Sequence, residues 1–145
     1  MAAGDIIWFN AARSLDYFAG WAGADTIRVQ LVDNTTPPTA NLATPALADF
    51  TAVTSVEGSQ SLGTWAAGWD DATAGGTGTF DSATNPTWVQ NAGNDTDARW
   101  AILYNDTQAG DPAFAYVDLG ATIDLTAGDL TINWNASGIA TLTAA

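Results

Sequence analysis

The chain has no cysteine, no histidine and no lysine, and each absence excludes a kind of chemistry. Without cysteine there is neither a disulfide nor a thiolate nucleophile. Zinc and copper lack their preferred ligands when histidine and cysteine are both missing. No nucleophile can be paired with a histidine or lysine base, and no glycine-rich phosphate loop follows a predicted strand. We therefore predict a protein that is not an enzyme and that holds no cofactor and no metal.

Positive charge is also scarce. Only Arg13, Arg28 and Arg99 oppose sixteen acids, fifteen of which are aspartate, and the formal net charge is −13. Such a chain repels phosphate backbones and anionic lipid surfaces, so we predict neither a nucleic-acid nor a membrane partner. The aspartate bias also suits a salty environment, in which screening weakens self-repulsion.

The N-terminal residues carry no pattern typical of export. Met1 to Asp5 lack a basic region, and Ile6-Ile7-Trp8-Phe9 is too short for a signal core or a membrane span. We expect synthesis in the cytoplasm, so that any location outside the cell requires lysis or another route.

Large aromatic residues supply most of the bulky apolar surface. The 145 residues are the length of one ordinary domain, and the sequence contains seven Trp, five Phe and three Tyr. Sheet proteins use such residues to fill the space between strands and between sheets. We therefore predict a single domain over residues 1–145.

The hydrophobic pattern has the period of β-strands. Ile27, Val29 and Leu31 alternate with Arg28 and Gln30, which is typical of a half-buried strand. Further strands are predicted at 51–57, 79–82, 87–90, 98–104, 113–119, 129–135 and 139–143, and one short helix at 11–19 with Asn10 as its N-cap. The spacing of the strands predicts an all-β fold, a single antiparallel β-sandwich or jelly-roll-like domain with a short N-terminal helix.

Two groups of acidic residues could carry chemistry. Glu57, Asp70 and Asp71 are candidates for the carboxylate pair of a glycosidase, although nothing in the sequence places two of them across a cleft. Asn94 to Asp97, with Asp106 or Asp111, offers oxygen ligands for Ca²⁺ but lacks the complete EF-hand loop. Solvated loop acids and Asx turns explain the same residues.

Trp65, Trp69 and Trp88 could form a stacking platform for sugars. Such a platform needs exposed and roughly coplanar rings, whereas buried filler is the commoner role of tryptophan in a β-sandwich. The sequence leaves both interpretations open.

The last third of the chain carries a resemblance to a known family. The strings Ala98-Arg99-Trp100-Ala101, Tyr104-Asn105-Asp106-Thr107, Tyr116-Val117-Asp118-Leu119-Gly120 and Trp134-Asn135-Ala136-Ser137-Gly138-Ile139 resemble small bacteriophage virion structural proteins of the capsid decoration or cement type. The similarity is close after Thr79 and looser before it, and the segment 58–78 departs from the family pattern.

The resemblance implies a virion component that is made in the host cytoplasm and binds the outer surface of the capsid. The partner implied is the major capsid protein of the same virion. The alternative is a tail- or fibre-associated receptor- or carbohydrate-binding module.

A small acidic domain gains from binding a shell in several copies, so we predict a homotrimer at local three-fold positions. The candidate interface comprises the weakly charged apolar residues Ile6, Ile7, Trp8, Phe9, Trp65 and Trp69. The competing interpretation is that these residues complete the core.

Overall fold

A computed structural model describes residues 4–13, 15–18, 20–64, 69–70, 77–80, 85–134 and 139–143. Almost all of its regular structure is strand. The strands are β1 (Ile6–Trp8), β2 (Thr26–Val32), β3 (Gln60–Thr64), β4 (Trp69–Asp70), β5 (Thr77–Phe80), β6 (Thr87–Trp88), β7 (Ala98–Asn105), β8 (Ala113–Ile123), β9 (Leu130–Thr131) and β10 (Ala140–Thr143). The prediction of an antiparallel all-β fold is confirmed, while the sandwich arrangement and the single domain over 1–145 stay predictions.

The largest sheet has five antiparallel strands in the order β1-β8-β7-β2-β3. β7 lies between β2 and β8, which agrees with its apolar sequence on both faces. Val29 pairs with Leu103, and Gln30 pairs with Ile102. These two pairs point to opposite faces because successive residues of a strand alternate. All four side chains are buried, so both faces of the sheet are covered.

Two smaller sheets accompany the large one. β10, β5 and β4 form a three-stranded sheet, and β6 and β9 form a two-stranded sheet. Thr87 and Thr131 are paired in the latter, and their hydroxyl oxygens are 2.9 Å apart. The strand predicted at 129–135 is shorter in the structure, Leu130–Thr131; Leu130 and Ile132 pack against the core, and Thr131 is exposed.

The predicted N-terminal helix consists of two 3₁₀ turns, Ala11–Arg13 and Leu15–Phe18. Among the described residues, no backbone N–H of these turns donates to the Asn10 side chain. The Asn10 amide donates to Asn41 Oδ1 at 2.7 Å, and the Asn10 carbonyl accepts the three-residue bond from the Arg13 N–H. The Asn10 side chain thus contacts a loop distant in sequence. Short i→i+3 turns form in place of a regular helix.

The predicted strand at 51–57 is not formed as a strand. Val53 N–H donates to the Leu31 carbonyl and Ala52 makes one isolated bridge with Val32, so the segment runs beside β2. Further along, Thr54 N–H donates to Asp95 Oδ2 at 2.7 Å. Side-chain acceptors therefore replace the carbonyls that a neighbouring strand would supply.

Candidate interaction surface

The apolar N-terminal residues Ile6, Ile7 and Trp8 form the edge strand β1. They pair with Val117, Tyr116 and Ala115 of β8 respectively. All three are half-buried and pack against the core. They close one edge of the large sheet, and their role in an interface stays a prediction.

Phe9, the fourth residue of this part of the candidate interface, belongs to the core. It is fully buried, and its ring centroid lies 5.1 Å from that of Tyr116 and 6.2 Å from that of Phe50. Its N–H donates to the Phe114 carbonyl at 3.1 Å. A residue with no exposed surface in the single chain offers nothing to a partner, so we remove Phe9 from the candidate interface.

Five aromatic residues form a cluster beside β1, which we call the N-terminal aromatic cluster: Trp8, Tyr17, Phe18, Trp21 and Phe114. Phe18 meets Trp8 and Trp21 at interplanar angles of 85°. The Tyr17 hydroxyl donates to the Ala113 carbonyl, and burial raises the pKa of Tyr17 to about 12. Edge-to-face rings fill space well but do not make the flat surface on which a sugar ring stacks.

The tryptophans proposed for sugar stacking fall in different places. Trp65 lies outside the described residues, as does the side chain of Trp69, whose backbone pairs with Phe80 in β4 and β5. Trp88 is fully buried and its indole N–H donates to the Gly58 carbonyl at 2.8 Å. The assignment of Trp88 to a stacking platform is therefore wrong, and the roles predicted for Trp65 and Trp69 stay predictions.

The acidic candidates for a glycosidase pair are not brought together in the part of the chain that the structure describes. Asp71 and the side chain of Asp70 lie outside it. Glu57 is half-buried, and its Oε2 is buried with no hydrogen-bond partner among the described residues.

Two of the Ca²⁺ candidate residues, Asn94 and Asp95, hold neighbouring loops by hydrogen bonds. Asn94 is 6% exposed, and its Oδ1 accepts from the Val56 N–H while its Nδ2 donates to the Val89 carbonyl. Asp95 accepts the Thr54 N–H. Within the described ranges, no group of three or more Asp, Glu, His or Cys side chains is arranged to hold a metal ion.

Many aspartates accept hydrogen bonds from nearby backbone N–H groups. Asp33 accepts from Thr35, Asp49 from Ala46, Asp118 from Gly120, Asp124 from Thr126 and Asp129 from Gln90. The bonds of Asp33, Asp118 and Asp124 run to the residue two positions later, and such Asx turns need a short side chain, which favours aspartate over glutamate there. The hydrogen bonds from the Thr126 hydroxyl and N–H lower the pKa of Asp124 below its usual value.

Asp25 is a buried carboxylate, 3% exposed. Its Oδ2 accepts from the Asn105 amide at 2.8 Å and from the Gln108 amide at 2.6 Å, and these two bonds lower its pKa. Asn105 Oδ1 in turn accepts the N–H groups of Thr107 and Gln108. The string Tyr104-Asn105-Asp106-Thr107 therefore fixes the turn after β7 to the loop before β2.

Two of the three arginines are committed to internal contacts. Arg99 forms an ion pair with Asp118, and its guanidinium carbon lies 4.2 Å from the Trp100 ring centroid. Arg28 donates to the hydroxyl and the carbonyl of Ser59. Arg13 is exposed. Because the other two arginines make internal contacts, little positive charge offsets the carboxylates at the surface.

The sequence did not single out the two large apolar residues that are exposed among those whose burial the structure describes. Val56 is 68% exposed and Val89 is 51% exposed. Val89 follows the inward-pointing Trp88, so strand alternation places it outward. The alternation of Trp88 and Val89 is visible in the sequence, but it predicts an exposed Val89 only once Trp88 is known to point inward.

Comparison with known proteins gives no match of any kind: no family model, no curated protein and no solved structure matches the chain. Among the described residues, no helix is long and apolar enough to cross a membrane.

Proposed function

We propose that the chain is a phage virion structural protein, a capsid decoration or cement protein that binds the outer surface of the head and stabilises the shell. It is made in the host cytoplasm, is not an enzyme and needs no cofactor. Its partner is the major capsid protein of the same virion, and it binds as a homotrimer at local three-fold positions.

One observation carries the proposal: two of the strings that resemble the phage family pair with each other in neighbouring strands. Arg99 of the first string forms its ion pair with Asp118 of the third. Trp100 and Asp118 are cross-strand partners in β7 and β8. The first and third strings therefore form one connected unit at the centre of the large sheet, and this supports treating them as parts of one similar fold.

The surface chemistry supports the same class. A densely packed sheet with turns fixed by aspartate gives a rigid body, and rigidity lowers the entropy cost of binding to a shell. The net charge of −13 opposes binding to packaged nucleic acid. Both features suit a protein added to the outside of a filled head.

Cryo-electron microscopy of virions from the phage that encodes the chain tests this proposal. We expect density for three copies around each local three-fold position on the head. Heads lacking the protein should bind it stoichiometrically and lose their contents at a higher temperature afterwards. Density on the tail alone would overturn the cement function in favour of the receptor- or carbohydrate-binding alternative.

A further inference from the structure

Val56 and Val89 are two exposed valines whose main chains are bonded to the same side chain, and we call them together the valine patch. They are the exposed large apolar side chains of the residues whose exposure the structure describes. One buried amide holds both: Asn94 Oδ1 accepts the Val56 N–H at 2.9 Å, and Asn94 Nδ2 donates to the Val89 carbonyl at 3.0 Å. Isolated exposed valines need no explanation. Here, however, the side-chain amide of Asn94 bridges the main chains of the two valines.

The two loops that carry the valine patch are rigidly joined. Asp95 N–H donates to the Thr54 carbonyl at 2.9 Å, and Thr54 N–H returns a bond to Asp95 Oδ2. The Trp88 indole N–H reaches the Gly58 carbonyl from the core side. Hydrogen bonds thus hold the backbone of both loops in place. Binding a partner at the valines would therefore cost little loop entropy.

Carboxylates surround the valine patch. Glu57 follows Val56, Asp95 bonds the loop beside it, and Asp129 Oδ1 accepts the N–H of Gln90 next to Val89. Arg28 also lies near this region, because its guanidinium donates to Ser59, two residues after Glu57. Asp129 is exposed, whereas Glu57 is half-buried and its Oε2 is buried. An apolar centre with an acidic rim complements an apolar side chain flanked by lysine or arginine.

We propose that the valine patch is the docking surface of the protein, and that its occupant is a shell segment with an exposed apolar side chain next to lysine or arginine. A second copy of the chain is a poor occupant because it would bring another acidic rim against the first. This inference rests on the proposed function, since it places the occupant on the outer face of the head.

The test uses heads that lack the protein and the full chain carrying Val56→Ser with Val89→Ser. We expect an unchanged CD spectrum and binding weakened by roughly tenfold or more, since apolar anchors at the centre of an interface carry much of its affinity. Ala43→Ser with Ala109→Ser is the matched control, because both alanines are exposed and lie outside the two loops. This control should bind as the unaltered protein does.

Charge is tested separately on the same heads. Raising the salt concentration should weaken binding of the unaltered protein. Asp129→Asn should make that dependence shallower, because it removes an exposed charge while its side-chain oxygen can still accept the Gln90 N–H. If the serine pair does not fold, the nearly isosteric pair Val56→Thr with Val89→Thr replaces it. Full binding by the folded valine variant would overturn the docking surface. Failure of the unaltered protein to bind heads would instead overturn the proposed function.

Discussion

At the scale of single residues, Phe9 separates the two interpretations of the apolar N-terminal run. Its ring is fully buried between Phe50 and Tyr116. We predict that Phe9→Ala lowers the free energy of unfolding by about 3 to 5 kcal/mol because it leaves a cavity in the core. Ile6→Ala, at a half-buried position of the edge strand, should cost about half as much or less. Chemical denaturation followed by CD measures both, and equal losses would contradict the distinction.

Asn94 is the second residue whose role the structure defines. Asn94→Ala removes the partners of the Val56 N–H and the Val89 carbonyl. We predict a loss of about 1 to 3 kcal/mol in unfolding free energy, which is the cost of leaving such groups without partners. Asn41→Ala, which breaks the exposed bond to Asn10, serves as the control and should change stability by about 0.5 kcal/mol or less. A loss for Asn94→Ala no larger than that of the control would show that water replaces the amide.

At the scale of elements, the register shift in the pairing of β2 with β3 depends on one glycine. The pairing of the two strands shifts register at Ile27 and Arg28, and Gly63, the partner of Ile27, has a φ of 105°. An added Cβ there meets no atom within 4 Å, so any cost of Gly63→Ala is conformational. We predict a loss of about 1 to 3 kcal/mol.

Gly128 provides the matched control for this prediction. It also has open space around a built Cβ, and it is not among the glycines with positive φ. Gly128→Ala should be neutral or stabilise the protein by up to about 1 kcal/mol, because it reduces the freedom of the unfolded chain. Thermal melts of the two variants side by side check the difference. Equal melting temperatures would mean that the register shift tolerates an ordinary residue.

The elements that could be predicted from sequence are those whose pattern is local. The alternation in 26–32 and the apolar run in 98–104 identify β2 and β7, because burial of these strands is recorded in their own residues. The segment at 51–57 and the N-terminal helix were different. Their backbone or cap groups bond to Asp95, Asn94 and Asn41, which are about 31 to 41 residues away. No local sequence pattern predicts hydrogen-bond partners so far along the chain.

The candidate interface shows the same limit. An apolar run such as Ile6 to Phe9 has the same composition whether it lies in the core or at a contact, and only the packing of Phe9 on Phe50 and Tyr116 separates its residues. Val56 was hidden for a related reason, since its exposure follows from the amide of Asn94 rather than from its neighbours in sequence.

At the scale of the whole molecule, acid should destabilise the fold through its bonded aspartates. Hydrogen bonds from Asn105 and Gln108 lower the pKa of Asp25, the bond from Arg99 lowers that of Asp118, and bonds from Thr126 lower that of Asp124, each from a usual value of 3.8. A carboxylate with a depressed pKa in the folded state contributes stability above its unfolded pKa, and this stability is lost as the pH falls through the folded pKa.

The net charge acts in the opposite direction at milder pH. Protonation of surface carboxylates between neutral pH and about pH 4 reduces the self-repulsion of a chain of net charge −13, which favours the compact state. We therefore predict a melting temperature that is level or rises slightly down to about pH 4 and then falls steeply. Added salt should raise the melting temperature at neutral pH, where repulsion is strongest, and have less effect at pH 4.

Asp124→Asn isolates one of the bonded carboxylates. Its side-chain oxygen can still accept the Thr126 N–H and hydroxyl bonds, but the residue no longer titrates. The variant should therefore retain most of the neutral-pH stability and show a shallower fall below about pH 4 than the unaltered protein, as linkage requires when one depressed pKa is removed. Thermal melts followed by CD from about pH 7 to about pH 2 measure this slope. An acid limb of equal steepness in both proteins would show that the bonds to Thr126 do not couple Asp124 to folding.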